Sequence, residues 1–342
     1  MKNKISCFIS FLLGNPLSFL RFLLSLVVGR SAYHHLRMLS STANNAPYEL
    51  SKTWITNILP DSLLMFGQDN YVFWSSLVVI TAFGAAFGVL GRLNLLILAF
   101  LSFIIVGTVE GIGVYDHEMS LASQVILVLA LVPGSMKLSF DYLIKYVYSR
   151  IKKISFCIGK TPKWSVNLVL LVLALTYLTA GISKVRYGGW EWFNGSTLGF
   201  YIQEKTAKFE PGEQQLLIGS DEILESDKWK DKFGLRGHAY GNYRTSKVAY
   251  DIGVWIVSKK PMLIFLSVTT VLFEVLGFIM FINGRYRNLF LLSAIILHTS
   301  IGFLMGLEFT PYRLICICLI DWKSIFKTIN SKYKSVRLQY IK

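Results

Sequence analysis

Charge is scarce in this chain, and acidic charge is scarcer still. Of 342 residues, 16% are charged, with 20 Asp and Glu against 35 Lys and Arg. Soluble domains carry about 25% charged and about 45–50% apolar residues. Here the apolar share is 53%, gathered in blocks of about twenty, the length a helix needs to cross a bilayer. That excludes a soluble globular enzyme and a disordered or fibrous chain. Cysteine is also scarce. Cys7, Cys157, Cys316 and Cys318 show no CxxC spacing, so no disulfide framework is expected and they read as ordinary apolar residues. Metal-ligand clusters are lacking. The polar turn Asp116-His117-Glu118 has three adjacent side chains that cannot all face one ion, so no metal is expected. No repeat or low-complexity tract is present. The basic, apolar N-terminus lacks an A-x-A cleavage pattern and is interrupted by Pro16. It reads as an uncleaved membrane segment.

What is present is a membrane pattern. Candidate spans cover residues 17–36, 71–90, 93–113, 119–136, 164–185, 261–283, 286–307 and 309–322. The first, fourth and last are the weakest by composition. Gly91-Arg92 and Asn283-Gly284-Arg285 are tight reversals, so the spans flanking each should form antiparallel hairpins. The expected fold is all-α, a polytopic membrane helical bundle of about eight transmembrane helices.

Basic residues test the count. Lys137, Lys145, Arg150, Lys152, Lys153, Lys160 and Lys163 stand against Asp141 between the fourth and fifth spans. Lys323, Lys327, Lys332, Lys334, Arg337 and Lys342 come after the last span. Eight spans put both groups, with Lys2, Lys4, Arg92, Arg285 and Arg287, on one side. The positive-inside rule makes that side cytoplasmic, with both termini on it. Residues 323–342 then form a basic cytoplasmic tail. The net charge of +15 is explained by topology, and no nucleic-acid partner is expected. The chain reads as one transmembrane domain, residues 1–342, in the inner (cytoplasmic) membrane and in contact with lipid. Residues 186–260 hold eleven basic and ten acidic residues. They read as an extracytoplasmic loop, either a mobile connector or a cap of one or two short helices. Trp229, Phe233, Tyr240 and Tyr243 favour something packed.

Ionisable residues inside spans are costly and tend to face a bundle interior or cavity. Here they are Arg21, Arg30, Glu110, Lys184, Glu274 and His298. Arg30 and Lys184 lie near span ends, where snorkelling explains them. Glu274 and His298 do not. They stand ten residues before and fourteen after Gly284, roughly 15 and 21 Å from the turn. A Glu–His pair across that hairpin is geometrically open, either as a structural hydrogen bond or as part of a buried polar site. Tyr177, Ala180, Gly181 and Lys184 share one helix face. The gap at Gly181 suits a flat ligand or a close helix contact. Lys184 reads as a snorkelling anchor or as a base near neutral pH. The aromatic run after it reads as an interfacial belt.

The segment AGISKVRYGGWEWFNG, residues 180–195, resembles the A-G-x-x-K-(x)n-W-x-x-G signature of vitamin K-dependent γ-carboxylase and its bacterial relatives, which share the horizontally transferred transmembrane (HTTM) domain. LSFLRFLL with Arg21, Asp116-His117, LVPGSMKLSFD and the Glu274–GRYRN–His298 half resemble other parts of that domain in the same order. Asp116 stands where the family has Asn, and Ser183 where the animal enzyme has a second lysine. The resemblance implies that Lys184 is the base and that His117 lies near the cofactor. It implies further that Gly181, Trp190 and Gly195 hold the cofactor, with Tyr177 joining them by its place on the Gly181 face, and that Glu274, His298 and Arg21 are supporting polar groups. The implied cofactor is a reduced naphthoquinone, used with O2 and CO2. Its oxidation yields a base strong enough to take the γ-proton of a glutamyl residue, whose carbanion takes up CO2. The implied activity is a carboxylase-like lyase or ligase coupled to quinone oxidation, acting on a protein or peptide from the extracytoplasmic side. A non-catalytic protein that binds quinone or lipid, or assists assembly, is the alternative. A small transporter with Glu274 and His298 as proton relay ranks below both, since no matched pair of broken helices is visible.

Overall fold

The computed structural model of the chain describes residues 14–45, 56–60, 64, 70–111, 117–155, 161–203, 246–307 and 309–326. Every regular element among them is helical. In chain order they are α1 (Pro16–Asn45), α2 (Tyr71–Phe87), α3 (Gly91–Gly111), α4 (His117–Leu131), α5 (Phe140–Ile151), α6 (Lys163–Ser183), α7 (Gly189–Phe193), α8 (Ser196–Gln203), α9 (Lys247–Ser258), α10 (Lys260–Val275), α11 (Gly284–Met305) and α12 (Thr310–Leu319).

Among the described residues, four helices are long and apolar enough to cross a membrane, over Gly91–Glu110, Lys163–Arg186, Lys260–Phe281 and Gly284–Met305. Tyr71–Phe87, Glu118–Leu131 and Thr310–Leu319 are shorter apolar helices. Large apolar side chains such as Ile80, Phe100, Leu289 and Ile296 point outward from these elements. A surface of that kind is suited to lipid rather than water. Each expected span coincides with a helix, but several run shorter. The span expected to end at 136 stops at Leu131, just before Pro133, because a proline there would leave a carbonyl without its helical partner.

α1, among the weakest spans by composition, is the central element. Leu17, Leu20, Leu24, Val28, Leu36 and Leu39 are fully buried along it, against α2, α3, α4 and α12. A helix covered by protein tolerates polar residues that a lipid-facing one does not, provided they find partners. Arg21 is such a residue. It is fully buried and donates from Nη1 to the Ala85 carbonyl at 3.0 Å and from Nη2 to the Leu138 carbonyl.

The basic turns gather at one end of the bundle. Ser18 Oγ donates to the Gly134 carbonyl at 2.7 Å. Thr161, just before α6, packs against Gly134. At the start of α11, Arg287 Nη2 reaches Asn167 Oδ1 of the first turn of α6 at 3.4 Å. Asn288 Oδ1 accepts from the Asp321 amide at 2.9 Å. The start of α1, the start of α6, the α10–α11 reversal and the end of α12 therefore share one end. Lys184, Glu274 and His298 lie toward the other.

Of residues 186–260, the described parts form α7, α8 and α9. These pack on one another and on α10 and α11, around Ile202, Ile256 and Leu263. Trp229, Phe233, Tyr240 and Tyr243 lie outside the described residues, as does most of the 323–342 tail.

Candidate functional site

α6 runs unbroken from Lys163 to Ser183 and then widens into a π turn over Lys184–Gly188. A π turn adds a residue to the helical turn and re-aims the side chains beyond it, and such turns recur at functional sites. Lys184 opens it. Its Nζ lies 2.8 Å from Glu274 Oε1 and 5.2 Å from the centre of the Trp192 ring. Its side chain is 20% exposed and that of Glu274 11%. Lys184 is thus turned inward onto α10 and is not a snorkelling anchor. An ammonium over an indole face is attracted by the ring quadrupole, so pair and ring together hold the amine in place.

Two turns back on the same face, Tyr177 is buried and its hydroxyl lies 2.7 Å from His298 Nε2. Rings enclose this pair. Phe273 and Phe290 each meet Tyr177 edge-on at 5.5 Å, while Phe309 and Tyr312 each sit 4.7 Å from the His298 ring. The buried Cys316 lies on α12, the helix that also carries Tyr312. The two pairs are anchored seven residues apart on one helix face, at Tyr177 and Lys184.

The Glu274–His298 pair left open across the hairpin does not form. Each residue turns to α6 instead. Glu274 Oε2 and His298 Nδ1 are both buried without a hydrogen-bond partner among the described residues. Buried polar atoms are normally satisfied, so these two are a cost that the surrounding packing has to offset.

The remaining expected residues have other places. Gly181 leaves no gap for a ring. A Cβ there would meet Val275 Cγ2 at 2.9 Å and Glu274 Cβ at 3.1 Å, so the glycine serves the close approach of α6 to α10. Trp190 points outward, 76% exposed; Trp192 takes the place over Lys184. Gly195 adopts φ +83, and a Cβ would meet the Ile264 amide nitrogen at 3.2 Å, which makes it a turn residue between α7 and α8. His117 is the first residue of α4, but its side chain and the whole of Asp116 lie outside the described residues. Arg21 belongs to the opposite end, about 30 Å away along α6, and takes no part in the site.

No family model, curated protein or solved structure matches this chain.

Sequence reasoning missed Trp192, Tyr312, Phe309 and Cys316. Trp192 carried a signal, as one of two tryptophans in the aromatic run. The phase shift at the π turn decides between them. Among the described residues no group of His, Cys, Asp and Glu could hold a metal ion.

Proposed function

We propose that this chain is a multi-pass protein of the cytoplasmic membrane, with its basic end in the cytoplasm, its termini beside it, and the Lys184 site facing outward. Its proposed activity is quinone-linked oxidative chemistry of the HTTM, γ-carboxylase-like type, ending in carboxylation of a glutamyl side chain. The observation that carries the reading is the inward-turned Lys184, paired with Glu274 at 2.8 Å on a π turn.

In this reading Glu274 and His298 meet one edge of a reduced naphthoquinone. Glu274 Oε2 can accept from a ring hydroxyl, and His298 Nδ1 is a second free polar atom. A ring lying flat on Gly181 does not fit, because Val275 fills that space. The quinone, when bound, supplies on reaction with O2 the strong base that no side chain provides. Lys184, held 2.8 Å from Glu274 Oε1, is the proposed base toward the ring hydroxyl. Trp192 and the rings around Tyr177 exclude water, which strengthens each polar contact inside. Tyr177 fixes the orientation of His298.

The second reading is a protein that holds a quinone or lipid, or assists assembly, without turning it over. A reconstituted assay separates the two. Purified protein in vesicles receives reduced naphthoquinone, O2, labelled CO2 and a glutamyl peptide library. The carboxylase reading expects quinone epoxidation together with label in peptide. Quinone binding with neither product overturns it in favour of the second.

A further inference from the structure

α5 stands apart from the site and from the bundle's apolar interior. Its N-terminus is bolted to the bundle's basic end. Ser139 Oγ caps it, accepting from the Tyr142 amide at 3.1 Å. The Asp141 carboxylate accepts from the amides of Leu90 at 2.9 Å and Gly91 at 2.7 Å, while the Asp141 amide donates to the Gly88 carbonyl at 3.0 Å. The helix thus sits on the α2–α3 turn, at the depth where two apolar helices leave the membrane. Ser149 is buried, its Oγ donating to the Tyr146 carbonyl at 2.7 Å. On a wheel of 100° per residue, Phe140, Leu143, Ile144, Val147, Tyr148 and Ile151 fall within an arc of about 140° centred nearly opposite Ser149. All six are exposed. Lys145 and Arg150 flank the arc on its two sides, where their stems can run along apolar surface and place their charges in headgroups.

We infer that α5 is an interfacial helix, lying in the plane of the membrane surface with its apolar arc in the lipid and its basic flanks on anionic headgroups. Charge complementarity names the occupant. Lys137, Lys145, Arg150, Lys152, Lys153 and Lys163 surround the helix, and the one acid among them, Asp141, is taken up by the Leu90 and Gly91 amides. A helix with a broad apolar face, basic edges and a polar opposite side is the pattern of interfacial binding. The inference is independent of the proposed chemistry.

The test uses the full chain in vesicles with and without phosphatidylglycerol, in a background with Cys7→Ser and Cys157→Ser. Single variants Ile144→Cys and Lys153→Cys carry an environment-sensitive fluorophore. The label at 144 is expected to be quenched by spin-labelled lipid and shielded from iodide, more so with phosphatidylglycerol, and the label at 153 to be open to iodide. Combined Lys145→Gln, Arg150→Gln, Lys152→Gln and Lys153→Gln should remove the phosphatidylglycerol response, with a loss of about fivefold in interfacial insertion per basic residue. An unchanged unfolding midpoint checks that the variant is folded. Equal iodide access at 144 and 153 overturns the inference. So does shielding at 144 without quenching by lipid, which would mean that protein covers the arc, or shielding indifferent to both phosphatidylglycerol and the glutamines.

Discussion

Lys184 and Glu274 meet at 2.8 Å between α6 and α10, ninety residues apart in sequence. Their pairing joins the π turn to the helix that Gly181 brings close. Glu274→Gln leaves the amine without its counter-charge and is expected to destabilise the fold by about 3 kcal/mol. The double variant Lys184→Met, Glu274→Leu should recover most of that loss. Thermal unfolding in detergent, monitored by tryptophan fluorescence, checks both.

Gly181→Ala distinguishes a helix contact from a ligand gap. With Val275 Cγ2 at 2.9 Å from the added carbon and the Val275 amide nitrogen at 3.2 Å, backbone as well as side chain must move. A stability loss of about 1–3 kcal/mol is expected, as for overpacking elsewhere. A variant of unchanged stability that only weakened quinone binding would show that a ligand, and not α10, occupies that face.

Tyr177→Phe removes the hydroxyl from His298 Nε2 and leaves the ring nitrogen buried without a partner. The expected cost is about 1–3 kcal/mol. Tyr177→Phe, His298→Phe should cost less than the sum of the two single changes. A double-mutant cycle of unfolding free energies measures the coupling.

Arg21 makes the opposite kind of prediction. It binds two backbone carbonyls, of Ala85 and Leu138, at the far end of the bundle. Arg21→Met should reduce the yield of folded protein, and Arg21→Lys should not rescue it, because one ammonium cannot reproduce a two-nitrogen fork. Quinone affinity per folded molecule should stay unchanged, measured by titration against the fraction of correctly folded protein.

The site was partly legible before the fold. Tyr177, Gly181 and Lys184 share a face by simple spacing, and Glu274 and His298 stood out because ionisable groups deep in apolar helices are costly. Their partners were not legible. Depth along the α10–α11 hairpin placed Glu274 and His298 near one level. The azimuth of each helix, which spacing from the turn does not fix, sends both to α6. The choice of Trp192 over Trp190 depends on the extra residue of the π turn, which rotates everything after Lys184. The place of α1 was hidden for a different reason. Hydropathy ranks helices by their suitability for lipid, whereas α1 is covered by α2, α3, α4 and α12. Its serines and Arg21 counted against it on that scale, though protein carbonyls accept from Ser18 and from both Nη atoms of Arg21.

Lys184 is the proposed base. The most direct measurement is the initial rate of naphthoquinol oxidation by O2 in reconstituted vesicles, for the unaltered chain and for Lys184→Met, with bound quinone titrated in parallel. Loss of general-base catalysis predicts a fall of about 10²–10⁴-fold in rate, with quinone still bound. An equal rate in the two proteins, or no oxidation by either while both bind quinone, would contradict it.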